Sequence, residues 1–107
     1  MTPEIKERIE TLIKGNKILV FMKGTKLMPA CGFSNNVVGI LNTMGVSYET
    51  INILEDQDIR QGIKEYSNWP TIPQVYIDGE FIGGSDVMIE LYQNGELQEK
   101  LEVALAS

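Results

Sequence analysis

The chain of 107 residues contains no histidine and one cysteine, Cys31. Without histidine there is no imidazole base, no Ser–His or Cys–His pair and no imidazole metal ligand. One cysteine cannot close a disulfide within its own chain. That argues against a disulfide scaffold and fits a reducing compartment such as the cytoplasm. Positive charge is also scarce: 9 basic residues face 15 acidic ones, for a net charge of −6. With no long basic run, a nucleic-acid partner is not expected. No apolar stretch approaches membrane-spanning length, so no membrane partner is expected either. The first twenty residues carry mixed charge and read as neither a secretory signal nor a transit peptide. No GxxxxGK[ST] phosphate loop, repeat or low-complexity segment occurs.

What is present suffices for one compact domain over 1–107 with a modest core, the hydrophobic fraction being 43%. Thr2-Pro3 reads as a helix start, and Ile5, Ile9, Leu12 and Ile13 fall on one helical face before Gly15. The run "KILVFMK" (17–23) reads as a buried strand, followed by the loop "GTKLMPA" (24–30). A helix runs from Gly32 to about Met44 and ends at Gly45. "SYETINI" (47–53) reads as a strand, and Asp56 or Asp58 can cap a third helix. "QVYIDGEFIGG" (74–84) is a hairpin turning at Asp78-Gly79. Ser85 or Asp86 caps a fourth helix, which Asn94-Gly95 separates from a last one over 96–106. The order α-β-α-β-α-β-β-α-α indicates an α/β sheet of mixed direction, its first two strands parallel.

This order gathers chemistry at one edge. Lys23 ends the first strand and Cys31 starts the next helix, at the carboxyl edge where open α/β sheets place ligands. An antiparallel third strand brings Trp69-Pro70-Thr71-Ile72-Pro73 to the same edge, and its partner returns Gly83-Gly84-Ser85-Asp86 there. A thiol at a helix N-terminus near an ammonium is expected below its ordinary pKa. Cys31 is therefore either a small buried hydrophobe or a reactive thiol working with sulfur from outside the chain. Ile72-Pro73 is a rigid turn or a cis peptide that aims the Ile72 backbone outward. Ser85-Asp86 opens a helix whose start also suits a carboxylate. Arg60 is a solvated helix residue unless it reaches the same edge.

Together "FMKGT", "CGFS", "NWPTIPQVYIDGEFIGGSD" and "IELYQNGEL" resemble the monothiol, CGFS-type glutaredoxins over nearly the whole chain, in order. The resemblance implies a thioredoxin fold: a four-stranded mixed sheet flanked by helices, a cis Pro73 and a glutathione groove. Carried over by position, Lys23 and Arg60 would meet the glycine carboxylate of glutathione. The Ile72 backbone would pair with its cysteinyl part, beside Pro73, and Ser85 and Asp86 would hold its γ-glutamyl end. Cys31 would be the nucleophile or metal ligand. It further implies a [2Fe–2S] cluster shared between two chains as a homodimer, with glutathione supplying the missing sulfur. Partners would be apo iron–sulfur acceptors and BolA-type proteins. The other implied activity is weak glutathione-dependent thiol–disulfide exchange. Ser34 stands where dithiol relatives carry a resolving cysteine, Ser85 where the family often has cysteine, and Ile72 where an aromatic is often seen.

Overall fold

The computed structural model describes residues 1–106. Helix α1 spans Pro3–Gly15, and the hydroxyl of its N-cap Thr2 accepts the Ile5 N–H at 3.2 Å. Strand β1 (Ile18–Met22) follows, then α2 (Gly32–Met44) and β2 (Glu49–Asn52). A 3-10 turn over Ile53–Glu55 leads to α3 (Gln57–Ser67), capped by Asp56. The hairpin β3 (Gln74–Ile77) and β4 (Glu80–Gly83) is followed by α4 (Ser85–Asn94) and α5 (Glu96–Ala106).

The sheet order is β2-β1-β3-β4, with β1 and β2 parallel and the other two pairs antiparallel. At the hairpin turn Asp78 and Gly79 both have positive φ, 51° and 82°. Those values belong to a type I′ turn, whose twist matches that of the strands it joins. The register slips between Val75 and Tyr76, a bulge that the alternating pattern does not announce.

Every residue of β1 is buried, as its uninterrupted apolar run predicts. Side chains alternate across a strand, so β1 feeds two cores. Ile18, Val20 and Met22 pack with Val37, Val38 and Leu41 of α2, Met88 of α4 and Leu97 and Leu101 of α5. Leu19 and Phe21 pack on the opposite face with Ile9 and Ile13 of α1 and Ile59 and Ile63 of α3. Each such fully buried aliphatic side chain contributes roughly 1.5–3 kcal/mol. The two layers clamp the sheet, and the loops converge just beyond the carboxyl end of β1.

Two expectations are corrected. The strand expected over 47–53 is four residues long, because the Asn52 side chain caps the 3-10 turn by accepting the Leu54 N–H at 3.1 Å. Neither Ser85 nor Asp86 caps α4: its N-cap is Gly84, without a side-chain hydrogen bond. The Ser85 hydroxyl is engaged instead with Asn36 Nδ2, at 3.3 Å.

Candidate functional site

From Lys23 the chain enters a tightly pinned loop. Gly24 has a φ of 90°, and a Cβ there would lie 2.4 Å from the Ala30 nitrogen, so the fold requires glycine. The Gly24 N–H donates to Asn52 Oδ1 at 3.0 Å, and the Ala30 N–H returns to the Lys23 carbonyl at 2.8 Å. Lys26 Nζ donates to the Tyr48 carbonyl and lies 4.2 Å from the centre of the Tyr48 ring. The pinned loop holds Leu27 and Met28 out in solvent, 93% and 77% exposed, just ahead of the thiol.

Cys31 is the N-cap of α2. Its backbone is extended, and Sγ accepts the Ser34 N–H at 3.4 Å, the part an Asp or Ser oxygen plays at other helix starts. The Ser34 hydroxyl lies 3.3 Å from Sγ. Ser34 is fully buried, and its Oγ accepts the Lys23 N–H at 3.1 Å. With one lone pair of Oγ held by that N–H, the hydroxyl hydrogen can donate to a thiolate. Burial pushes the thiol pKa up. The Ser34 hydroxyl, the Ser34 and Phe33 N–H groups and the Lys23 charge outweigh it, and the net result lies below the ordinary thiol value. The sequence pointed to the helix start and Lys23. The helix start is confirmed, but Lys23 contributes least and the Ser34 hydroxyl most among the lowering effects.

Beside Cys31 opens a groove of about 410 Å³. Lys23, Arg60, Ile72, Pro73, Ser85 and Asp86 all line it, so six of the seven residues singled out from the sequence meet there. Cys31 itself is not a wall; its neighbours Lys23 and Phe33 are. The Ile72–Pro73 peptide is cis. The Ile72 side chain is buried, and its backbone lies just beyond Gln74, the first residue of β3 paired to β1. An aliphatic side chain in place of an aromatic therefore leaves the groove's backbone edge intact. Next to Pro73, a Cβ on Gly84 would stand 3.0 Å from the Pro73 carbonyl oxygen, so the glycine lets the two backbones approach. Lys64, Phe33, Trp69 and Thr71 also line the groove. Of these, the strand order already brings Trp69 and Thr71 to this edge, whereas Phe33 and Lys64 were not singled out. Trp69 also packs, its ring centroid lying 6.0 Å from that of Phe81. Lys64 had a signal: four residues after Arg60, it shares that residue's helical face.

Three cations and one carboxylate line this groove, in a protein of net charge −6. Its lining is net positive, with a thiol at its edge. A mixed sheet of this order, a thiol capping the helix after β1 and a cis proline in the adjoining groove define a thioredoxin-fold protein. The Glutaredoxin family model matches residues 18–82. The "Uncharacterized monothiol glutaredoxin ycf64-like" of Synechocystis sp. is 74% identical over 107 residues, all of both chains. The solution structure of reduced poplar apo GrxS14 is 52% identical with a TM-score of 0.86, covering 99% of this chain and 97% of that one. A buckwheat glutaredoxin–glutathione complex is 27% identical with a TM-score of 0.84, covering 97% and 96%. The chain belongs to the glutaredoxin family, and with Cys31 as its only thiol it is of the monothiol kind.

Proposed function

We propose that this protein binds glutathione in the groove beside Cys31 and, as a glutathione-bridged homodimer, holds and transfers a [2Fe–2S] cluster. The cluster is cargo, passed to apo iron–sulfur acceptors, with BolA-type proteins as further partners in a reducing compartment such as the cytoplasm. The observation that carries the reading is a single exposed-edge thiol, held toward its anionic form, beside a groove that suits a carboxylate-rich peptide. A [2Fe–2S] cluster takes four ligands, usually thiolates. One chain offers one, two chains offer two, and two bound glutathiones complete the set. Among the described residues no group of three or more Cys, Asp or Glu lies close enough to hold a metal ion.

The named residues take these roles. Lys23 and Arg60 meet the glycine carboxylate, and Lys64 adds a third positive charge to that wall. The Ile72 backbone beside cis Pro73 pairs with the cysteinyl unit as a strand would. The N–H groups at the start of α4, with Asp86, take the γ-glutamyl end. Leu27, Met28 and Phe33, 93%, 77% and 62% exposed, provide apolar surface for the second copy. With half its ligands held non-covalently, the cluster is labile, which suits transfer over storage.

Anaerobic reconstitution with iron, sulfide and glutathione, read by native mass spectrometry, tests this. Two chains, two glutathiones and one cluster are expected. A cluster on a single chain, or one retained without bound thiol, overturns the reading. The lowered thiol pKa also favours a second activity. Cys31 attacks a glutathionylated protein thiol, the protein thiol leaves, and a second glutathione resolves the Cys31–glutathione disulfide. With Ser34 in place of a second cysteine, no intramolecular disulfide competes.

A further inference from the structure

Gln74 is a carboxamide with no exposed surface, set in strand β3 opposite Phe21. A buried amide is costly unless its hydrogen bonds are made. Here they are made to the groove. Nε2 donates to the carbonyls of Trp69 at 3.1 Å and Thr71 at 3.3 Å. Oε1 accepts the Tyr76 hydroxyl at 3.3 Å. Two carbonyl acceptors on one end fix which end is the NH₂. Tyr76 is almost fully buried. A buried polar chain thus runs from Tyr76 through Gln74, both on β3, to the loop over 69–71. That loop carries the apolar wall of the groove and leads into Ile72–Pro73. The amide ties this wall to the sheet.

An apolar residue of the same size would fill this core position without any desolvation cost. What it could not do is hold two loop carbonyls. Drawn to the buried amide, those carbonyls are kept from presenting negative oxygen to an anionic ligand. We infer that Gln74 is a positioning residue of the glutathione groove, clamping the 69–71 backbone so that Ile72 meets the bound peptide in register. The inference rests on the reading that this groove binds glutathione.

The experiment compares wild type, Gln74→Met and Tyr76→Phe by titration calorimetry with glutathione. The iodoacetamide reaction rate of Cys31 at fixed pH is measured alongside. Gln74→Met keeps the volume and removes the clamp, and its glutathione affinity falls roughly tenfold, as for other residues that orient a binding shell. The thiol rate stays within about twofold, because Cys31 is set by Ser34 and not by this loop. Tyr76→Phe leaves both loop bonds and removes one support, with a loss of roughly two- to threefold. Wild-type affinity in Gln74→Met, or an affinity loss matched by an equal change in thiol rate, overturns the inference. Should Gln74→Met not fold, unchanged affinity in Tyr76→Phe overturns it. A wild type that does not bind glutathione overturns the functional reading and this inference with it. Binding by wild type and variants alike overturns the inference alone.

Discussion

Two helices begin at the same end of the sheet, and they begin differently. The start of α2 is closed by its own side chain, the Cys31 sulfur accepting the Ser34 N–H. The start of α4 has glycine at its cap and no side-chain acceptor, while the adjacent Ser85 hydroxyl is engaged with Asn36. A helix N-terminus offers unpaired N–H groups and partial positive charge wherever it occurs. At α2 that capacity is spent on sulfur and lowers a thiol pKa; at α4 no side chain takes it up, and in the proposed function it serves the ligand. Covalent chemistry and non-covalent binding thus draw on the same physical resource, separated by whether a side chain occupies it.

The sharpest way to break this comparison is Cys31→Ser. Serine is a good N-cap, so its hydroxyl should keep the Ser34 N–H, and stability should change by at most ~1 kcal/mol, or roughly 5 °C in Tm. Function should vanish: no cluster absorbance after anaerobic reconstitution with glutathione, and no alkylation. A much larger fall in Tm by calorimetry would mean that the sulfur is a structural element first.

The converse change closes α4. Gly84→Asp supplies a side-chain cap, brings a negative charge into the groove and sets a Cβ 3.0 Å from the Pro73 oxygen. Glutathione affinity should fall by roughly 10- to 100-fold, through competition for the N–H groups and repulsion of the ligand carboxylate. Gly84→Ala carries only the steric part and should lose less. Equal losses in the two variants would show that close approach of the backbones, not an open helix start, is what the glycine provides.

The contrast between the two starts was half legible in the sequence. Proline, alanine, cysteine and glycine before an apolar helical pattern mark the start of α2, and the cap that forms there is local, Cys31 to Ser34. The start of α4 was misread, because Ser85-Asp86 is the commoner capping signal and Gly83-Gly84 carries no side chain to read. What decides the matter is Asn36, 49 residues away, taking up the Ser85 hydroxyl. The same division holds elsewhere. The Asp78-Gly79 turn and the parallel β1–β2 pair follow from local pattern and connection length. The buried clamp at Gln74 depends on carbonyls that only the folded loop brings within reach, and a glutamine in an apolar strand does not announce it. Ser34 was read as the absence of a second cysteine, whereas its hydroxyl bridges the thiol and the end of β1.

A smaller effect is expected at that bridge. Ser34→Ala removes the largest of the influences that lower the Cys31 pKa, whereas Lys23→Ala removes the smallest. The midpoint of iodoacetamide reactivity against pH should therefore rise more in Ser34→Ala than in Lys23→Ala, with a severalfold slower reaction at pH 7. The opposite ranking would place the control of the thiol in long-range charge and not in its hydrogen bonds.

The smallest effect on the thiol and the groove is expected from a helix start of the ordinary kind. Asp56 caps α3, its carboxylate accepting the Ile59 N–H at 3.1 Å and pairing with Arg8 at 2.6 Å. The Ile59 N–H first, and Arg8 next, hold the Asp56 pKa below the usual carboxylate value. Folding therefore favours the charged form. The stability this gives is fully present above the unfolded carboxylate value, and it is lost as pH falls through the lowered folded one. Asp56→Ala should cost about 1 kcal/mol through the lost cap, with Tm falling roughly 4–8 °C at neutral pH. The exposed Arg8 pair should add little to that. The gap in Tm between wild type and variant should close on acidification. Glutathione affinity and Cys31 reactivity should hold within about twofold, because the remainder of α3, with Arg60 and Lys64, stays folded without the cap. If thiol reactivity fell along with stability, the capped start of α3 would be coupled to Cys31, and the separation between structural and functional helix starts would not hold.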